Sequence, residues 1–349
     1  MPPAIQLKMR RDSANSAPFE RTTLKTISIV THAYNEEDNI EALYLRVREI
    51  MNGFPQYRYE HIFIDNASTD GTVAILKRIA EKDKNVKIIV NARNFGHIRS
   101  PIHALFQARG DVMIGIASDF QEPPDLIPDM IRAWEEGYPM VLCIKESSGE
   151  VGLMFWLRKQ YYKMVERLSS VETIQNYTGF GLYDRRVVDI VKSFQDPYPY
   201  FRGIIAEIGL PSKRLYFHQP ARKFGITKNN WYTLYDIAML GIINLSKIPL
   251  RLTVFAGFIG AMVSFLTAMA YFIYKLLFWR SFSVGIAPVI IGIFFLNSIV
   301  LVFMGILGEY VGAIHTQVQK RPYAIELERI NFEYEPNLPL PMESGETAG

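Results

Sequence analysis

The chain has 349 residues, room for one substantial soluble domain and something smaller. Lys and Arg total 38 against 35 Asp and Glu, a formal net charge of +3, too balanced for the dominant basic field of a nucleic-acid binder. The single cysteine, Cys143, excludes an intramolecular disulfide framework and a multi-cysteine zinc site; it points to a reducing compartment and a buried structural thiol.

Residues 1–25 include Arg10, Arg11, Ser13, Asn15, Ser16 and Pro18 without the apolar run of a secretory signal, and are expected to form a disordered tail. Short β-branched runs then follow at 27–31, 61–65, 86–91, 112–117 and 140–144, separated by stretches of helical length and periodicity. Strands spaced by helices predict an α/β domain with a mostly parallel sheet covered on both faces. Such sheets bind ligands just beyond the carboxyl ends of their strands. Three runs end in polar clusters: Ala33-Tyr34-Asn35-Glu36, Asp65-Asn66-Ala67-Ser68-Thr69-Asp70-Gly71 and Ser118-Asp119-Phe120-Gln121-Glu122-Pro123-Pro124. All three are expected to converge on one edge.

Beyond residue 144 the spacing predicts a helix over 153–169, a strand over 180–183 and a loop over 196–203. Trp231, Leu234, Tyr235, Ala238, Ile242 and Leu245 then recur at steps of three and four, one apolar stripe on a helix. That helix faces either a core or a bilayer interface, and its place just before the next segment favours the interface.

Residues 252–274 and 281–308 are runs of 23 and 28 residues without a charge. Each exceeds the roughly 20 residues needed to cross a hydrocarbon core, so two spanning helices are predicted. Lys247 and Arg251 precede the pair and Lys320 and Arg321 follow it, against Lys275 and Arg280 in the turn. This bias places the soluble domain and both chain ends in the cytoplasm, with the chain multi-pass in the inner (cell) membrane.

Candidate chemistry lies in the polar clusters. Glu36 and Asp65, at strand ends, are placed to accept hydrogen bonds from a ribose and a base; as isolated acids they would equally favour a helix N-terminus. In an extended segment Asp119 and Gln121 face the same way, so both side chains could hold one Mg²⁺ or Mn²⁺ whose shell diphosphate oxygens complete. A solvated loop is the alternative. Arg202, Arg222 and Lys228, near Gly203 and Gly225, would attract phosphates or simply solvate a surface.

Together Val30-Thr31-His32-Ala33-Tyr34-Asn35-Glu36, Ile64-Asp65-Asn66-Ala67-Ser68-Thr69-Asp70-Gly71-Thr72, Asn94-Phe95-Gly96-His97, Asp119-Phe120-Gln121-Glu122-Pro123-Pro124 and residues 222–228 resemble the inverting glycosyltransferases of family two. More narrowly they resemble dolichol-phosphate mannose synthases and bacterial polyprenyl-phosphate glycosyltransferases with a two-helix anchor. Gly305-Ile306-Leu307-Gly308-Glu309-Tyr310-Val311-Gly312 and Lys320-Arg321-Pro322 resemble the end of that anchor. The resemblance spans about residues 26–325. It implies a GT-A, Rossmann-like catalytic domain over 26–229, an interfacial helix over 230–250, two spans over 251–310 and a cytoplasmic segment over 311–349. It also implies transfer of a sugar from a nucleotide diphosphate donor to a polyprenyl phosphate, with inversion. Tyr34, Asn35, Glu36, Asp65, Asn66 and Asp119 would then bind the donor, Asp119 and Gln121 the metal, and Arg202, Arg222 and Lys228 the phosphates, with Asp119 the central catalytic carboxylate. The acceptor phosphate is itself an adequate nucleophile, so no strong base is required. Nothing in the sequence fixes the oligomeric state, and a homo-oligomer is compatible with it.

This chain departs from that pattern in places. Ala117 stands where the first Asp of Asp-x-Asp is usual, Asn66 where a second Asp is common, His97 where many relatives have Lys, and Thr178-Gly179-Phe180-Gly181 where Gly-Asp-Phe-Arg is usual. A catalytically silent membrane scaffold is therefore the rival function. A processive polysaccharide synthase is disfavoured by the two spans and the lack of a Gln-x-x-Arg-Trp string, and a transporter by the absence of intramembrane charge before Glu309.

Overall fold

The computed structural model describes residues 24–146, 174–220, 248–278, 286–319 and 321–333. Outside them lie the tail up to residue 23, the helix expected over 153–169, the stripe from Trp231 to Leu245, and both Arg222 and Lys228.

The five β-branched runs form strands β1 (Thr26–Ala33), β2 (Arg58–Asp65), β3 (Val86–Asn91), β4 (Val112–Ala117) and β5 (Met140–Lys145). Between them run α1 (Ile40–Asn52), α2 (Thr72–Lys82), α3 (Gly96–Gln107) and, after a 3₁₀ turn at Pro124–Leu126, α4 (Ile127–Glu135). β6 (Tyr177–Asp184), α5 (Arg185–Ser193), α6 (Phe201–Ile208) and β7 (Ser212–Phe217) complete the part before the apolar helices. β6 starts three residues before its expected position, and α6 begins inside the stretch expected to be loop.

Eight strands form one sheet in the order β7-β5-β6-β4-β1-β2-β3-β8. β1 pairs in parallel with β2 and β4, β2 with β3, and β5 with β7, while β6 runs antiparallel between β4 and β5. The near-continuous apolar runs of β2 and β4 follow from burial on both faces. On one face Val30, Ile64 and Met113 pack with Ile102 and Leu105 of α3 and Val187 of α5. On the other, Ile29 and Ile114 meet Leu43 and Val47 of α1 and Met130 and Ile131 of α4. Cys143 is buried in this second layer and burial raises its thiol pKa, as expected of a structural cysteine.

The two apolar segments are helices α7 (Ile248–Leu277) and α8 (Ile286–Val318). Both exceed the uncharged runs that predicted them: α7 takes in Arg251 and Lys275, and α8 continues ten residues past Gly308 and includes Glu309. Each contains a 27-residue stretch, Ile248–Tyr274 and Gly292–Val318, of mean hydropathy 2.0 and 1.9, long and apolar enough to cross a bilayer. Their side chains lack protein cover; Phe258 and Phe294 are each 70% exposed.

After α8 the chain returns to the sheet. β8 (Glu326–Ile330) pairs antiparallel with β3 at the edge, an element the sequence reading did not anticipate. Its Glu-Leu-Glu-Arg-Ile string has the charged character of an edge strand. Side chains hold it: Glu328 pairs with Lys77 of α2 at 2.5 Å, and Asn331 donates to the carbonyls of Ala80 and Val86, both at 2.8 Å.

Candidate functional site

The parallel register sets Ala33 opposite Asp65 and His32 opposite Ala117, so β1, β2 and β4 end in line. The first two polar clusters are laced together there. Asn35 N–H donates to Ser68 Oγ at 2.9 Å, and Asn35 Oδ1 accepts from Thr69 N–H at 2.8 Å. Glu36 N–H donates to Thr72 Oγ1 at 2.9 Å, and Glu37 Oε2 accepts from Gly71 N–H at 2.7 Å. Each of the three strand-end loops holds one non-glycine residue in the left-handed region: Asn35 at φ 55°, Ala67 at 63° and Phe120 at 58°. Asn tolerates this conformation, whereas an ordinary L-residue there costs roughly 1–2 kcal/mol. Strain of this kind gathers at functional sites, where the surroundings over-determine it.

Asp65 is fully buried and turned onto its own loop, accepting from Ser68 N–H at 2.9 Å and from the Ser68 hydroxyl. Burial raises its pKa against the pull of these bonds. Asn66 is a junction. Its Oδ1 accepts from Phe95 N–H at 2.8 Å and Asn91 Nδ2 at 3.1 Å, while its Nδ2 donates to Asn94 Oδ1 at 2.9 Å and the Gly96 carbonyl at 3.2 Å. It therefore ties the end of β2 to the loop that opens α3. Glu36 Oε2 accepts from Asn39 Nδ2 at 2.7 Å, just ahead of α1. Tyr34 is half-buried between β1 and this lacing.

The third loop corrects the sequence geometry. Residues 118–122 form a turn through the left-handed Phe120, so the strand alternation expected to align Asp119 with Gln121 does not operate. Asp119 is buried, and its Oδ1 instead accepts the backbone N–H of Gln121 at 3.1 Å. The hydrogen bond keeps the two residues adjacent in a tight polar turn.

Beside this turn a cavity of about 330 Å³ opens between α3, the sheet and the start of α6. Ile98, Pro101, Ile102, Leu105 and Phe201 make it largely apolar, while His32, His97, Glu122, Thr178 and Arg202 give it polar walls. Gly115 of β4 forms part of the lining, and a Cβ there would meet nothing within 4 Å. Glu122 Oε2 accepts Ala117 N–H at 2.7 Å and its Oε1 accepts the Thr178 hydroxyl at 3.0 Å. Burial pushes the Glu122 carboxyl up to about 7 against those two bonds. Burial also lowers His32, with Asp119 pulling it up and His97 pushing it down, so these three groups share one electrostatic neighbourhood. Arg202 reaches the cavity and donates weakly to the Tyr177 carbonyl at 3.4 Å, its guanidinium 5.4 Å from the Tyr200 ring.

The structure thus brings Arg202 to the cavity wall and Asp119 beside it, and gathers Asn35, Glu36, Asp65 and Asn66 in the adjoining loops. It adds His32, Glu122, Thr178 and Gly115, which the sequence reading had not assigned a site role. Position offered a signal for two of them: His32 is the second-last residue of β1, and Glu122 follows Gln121 in the third polar cluster. Among the described residues no group of three or more His, Cys, Asp or Glu side chains is disposed to hold a metal ion. A cation here would need oxygens from a bound ligand beside Asp119, which suits a hard ion bridging to a diphosphate.

Residues 28–194 match the family model described as Glycosyl transferase family 2. An uncharacterized glycosyltransferase of Synechocystis is 30% identical over 311 residues, covering 89% of this chain and 97% of that protein. The SfII prophage-derived bactoprenol glucosyl transferase of Shigella flexneri is 32% identical over 297 residues, covering 85% of this chain and 96% of that protein. Among solved structures, glucosyl-3-phosphoglycerate synthase from Mycobacterium tuberculosis, in complex with Mn²⁺, uridine-diphosphate and phosphoglyceric acid, aligns at 17% identity and a TM-score of 0.42, covering 63% of this chain and 76% of that one. The chain belongs to glycosyl transferase family 2 and is a glycosyltransferase.

Proposed function

We propose that this enzyme transfers a sugar from a nucleotide diphosphate donor to a polyprenyl phosphate, with inversion at the anomeric carbon. The observation that carries the proposal is one chain that joins a strained, strand-end polar site beside a cavity to two uncovered helices of bilayer length. Relatives named bactoprenol glucosyl transferase match most of this chain, one of them over 85% of it and 96% of its own length. An acceptor phosphate oxygen bonds to the anomeric carbon as the bond to the donor diphosphate breaks, and the nucleoside diphosphate leaves. Tyr34, Asn35, Glu36, Asp65 and Asn66 hold or shape the nucleoside side, with Asn66 acting by fixing the loop before α3. Asp119 and Gln121 would hold Mg²⁺ or Mn²⁺ together with donor oxygens, and such a cation neutralises charge on the leaving diphosphate. Arg202, Arg222 and Lys228 are assigned to phosphates.

The placement of β8 supports a topology. It lies after α8 yet belongs to the sheet built before α7, so the two helices leave and return to the same side. With the Lys and Arg bias, that side is the cytoplasm, where nucleotide sugars are available, and both termini share it. The silent-scaffold alternative rested partly on Gly179 and Gly181. Both glycines have structural reasons: Gly179 sits at φ 108°, and a Cβ on Gly181 would run into the Val141 carbonyl oxygen.

The deciding experiment is radiolabelled transfer from a panel of nucleotide sugars to undecaprenyl phosphate by the full chain in detergent or liposomes. Label appearing in an organic-soluble lipid product with one donor supports the proposal. No lipid product with any donor, from protein that is folded, assigns the chain to the scaffold reading.

A further inference from the structure

Three arginines from two distant parts of the chain meet outside the cavity, where the catalytic domain reaches the end of α8. Arg93 and Arg99 both lie over the Phe95 ring, with guanidinium carbons 4.1 Å and 5.5 Å from its centre. Arg99 also donates to the Pro322 carbonyl, which fixes the segment carrying Arg321 beside them. Burial, with the charges of Arg93 and Arg321, holds the Arg99 guanidinium below its ordinary pKa, and Tyr198 opposes this. Among the described residues none of the three has a carboxylate partner, and the buried Nε of Arg99 has no hydrogen-bond acceptor. The positive end of the 12-residue α3 adds to the same field.

Three like charges held close together, two of them over one ring and with no counter-ion among the described residues, call for an anion. Depth specifies its kind. Arg321 lies three residues beyond Val318, the end of the Gly292–Val318 stretch, and Gln317 there donates to Asp196 of the catalytic domain at 2.7 Å. On a spanning helix that level is the headgroup region, where basic side chains meet lipid phosphates. None of the three arginines lines the cavity.

We propose that Arg93, Arg99 and Arg321 form a binding site for the phosphate group of a net-anionic membrane lipid, seating the catalytic domain against the bilayer. The site rests on the reading that α7 and α8 lie in a membrane. Guanidinium groups suit it because they present paired donors to phosphate oxygens, and Phe95 has already restricted two of them.

The test uses the full chain in nanodiscs and requires no sugar transfer. Hydrogen exchange of residues 93–99 and 321–324 is measured in phosphatidylcholine discs, in the same discs with phosphatidylglycerol, with a small fraction of undecaprenyl phosphate, and with soluble inorganic phosphate. Anionic lipid is expected to slow exchange by on the order of tenfold. Slowing by phosphatidylglycerol identifies a bulk headgroup and slowing by undecaprenyl phosphate alone identifies the acceptor lipid, and both support the site. Equal exchange in all discs, or the same slowing from inorganic phosphate alone, overturns it. The combined Arg93→Gln, Arg99→Gln, Arg321→Gln variant should lose the lipid effect while the corresponding lysine variant keeps most of it. A glutamine variant still protected like the wild type also overturns the site. If the triple variant does not fold, the exposed Arg93→Gln alone serves the same comparison. A chain that holds lipid phosphate but transfers no sugar keeps this inference and loses the function proposed above.

Discussion

His103 of α3 and Glu326 of β8 are 223 positions apart in sequence, yet their side chains meet at 2.6 Å. Arg329 closes the cluster, donating to Glu326 at 2.7 and 2.5 Å and to Gln107 at 3.0 Å. The segment that follows the two long apolar helices is thereby fastened to the helix whose first turns line the cavity. Burial favours the neutral acid of Glu326, but the bonds from His103 and Arg329 outweigh it and hold the carboxyl down to about 2, below its ordinary 4.5.

The folded state therefore binds this proton more weakly than the unfolded state. Its stabilising contribution is complete above about pH 4.5 and is lost as the pH falls toward about 2. Hydrogen exchange across residues 326–330, corrected for intrinsic rate, should rise through that window. Glu326→Gln should raise it already at pH 6 and remove the acid step. An unchanged step in the variant would assign it to other carboxylates.

Two glycines should separate folding from activity. Gly181→Ala would force β5 away from β6, because the new methyl collides with the Val141 carbonyl oxygen, and should destabilise by roughly 1–3 kcal/mol. Gly115→Val meets open space where its side chain begins, so it should leave thermal stability nearly unchanged while filling the cavity. Transfer by folded Gly115→Val should fall steeply. Full activity would remove the cavity from the reaction.

Asn66 stands where the resemblance led us to expect a second acid, and its bonds explain the amide. Asn66→Asp would replace the Nδ2 donor with an oxygen facing Asn94 Oδ1 and the Gly96 carbonyl. Setting an oxygen of the buried residue 66 against these two acceptors should cost roughly 1–3 kcal/mol. Thermal melts of both forms check this, and an equal or higher melting temperature for Asn66→Asp would refute the junction role.

Much of the fold was legible because alternation of β-branched runs with amphipathic stretches is imposed by burial on both faces of a parallel sheet. The strand ends and their polar clusters followed from that order alone. β8 was not legible: five residues with three charges carry no apolar signature, and their pairing depends on Lys77, β3 and the Ala80 and Val86 carbonyls that Asn331 reaches, all far away in sequence. Glu122 was hidden for a related reason. Its role comes from contacts with Ala117 and Thr178, and the latter is 56 positions distant. The placement of Asp119 was legible but its geometry was not, since a left-handed Phe120 has no residue-type signal.

The return of β8 to the sheet makes the topology testable. Reporter fusions at Gly349 and within residues 281–285 should read opposite sides of the membrane, with Gly349 cytoplasmic. The same reading from both would show that α7 and α8 do not both cross.

The sharpest test falls on Asp119, the buried carboxylate in the turn beside the cavity. Asp119→Asn keeps an oxygen able to accept the Gln121 N–H bonded at 3.1 Å in the wild type, so the turn should survive. What it removes is the full negative charge, and a neutral amide binds hard divalent ions poorly. Transfer should fall at least about a hundredfold, equivalent to roughly 2.7 kcal/mol of transition-state stabilisation, with circular dichroism unchanged. Ala117→Asp would place another carboxylate near Asp119 and Glu122, and should tighten Mn²⁺ binding in a titration even if turnover slows. Near-normal transfer by Asp119→Asn, or full wild-type activity in excess chelator, would defeat the cation role. Neutralising the leaving diphosphate would then fall to Arg202, Arg222 and Lys228, and Arg202→Gln, rather than chelation, should abolish transfer.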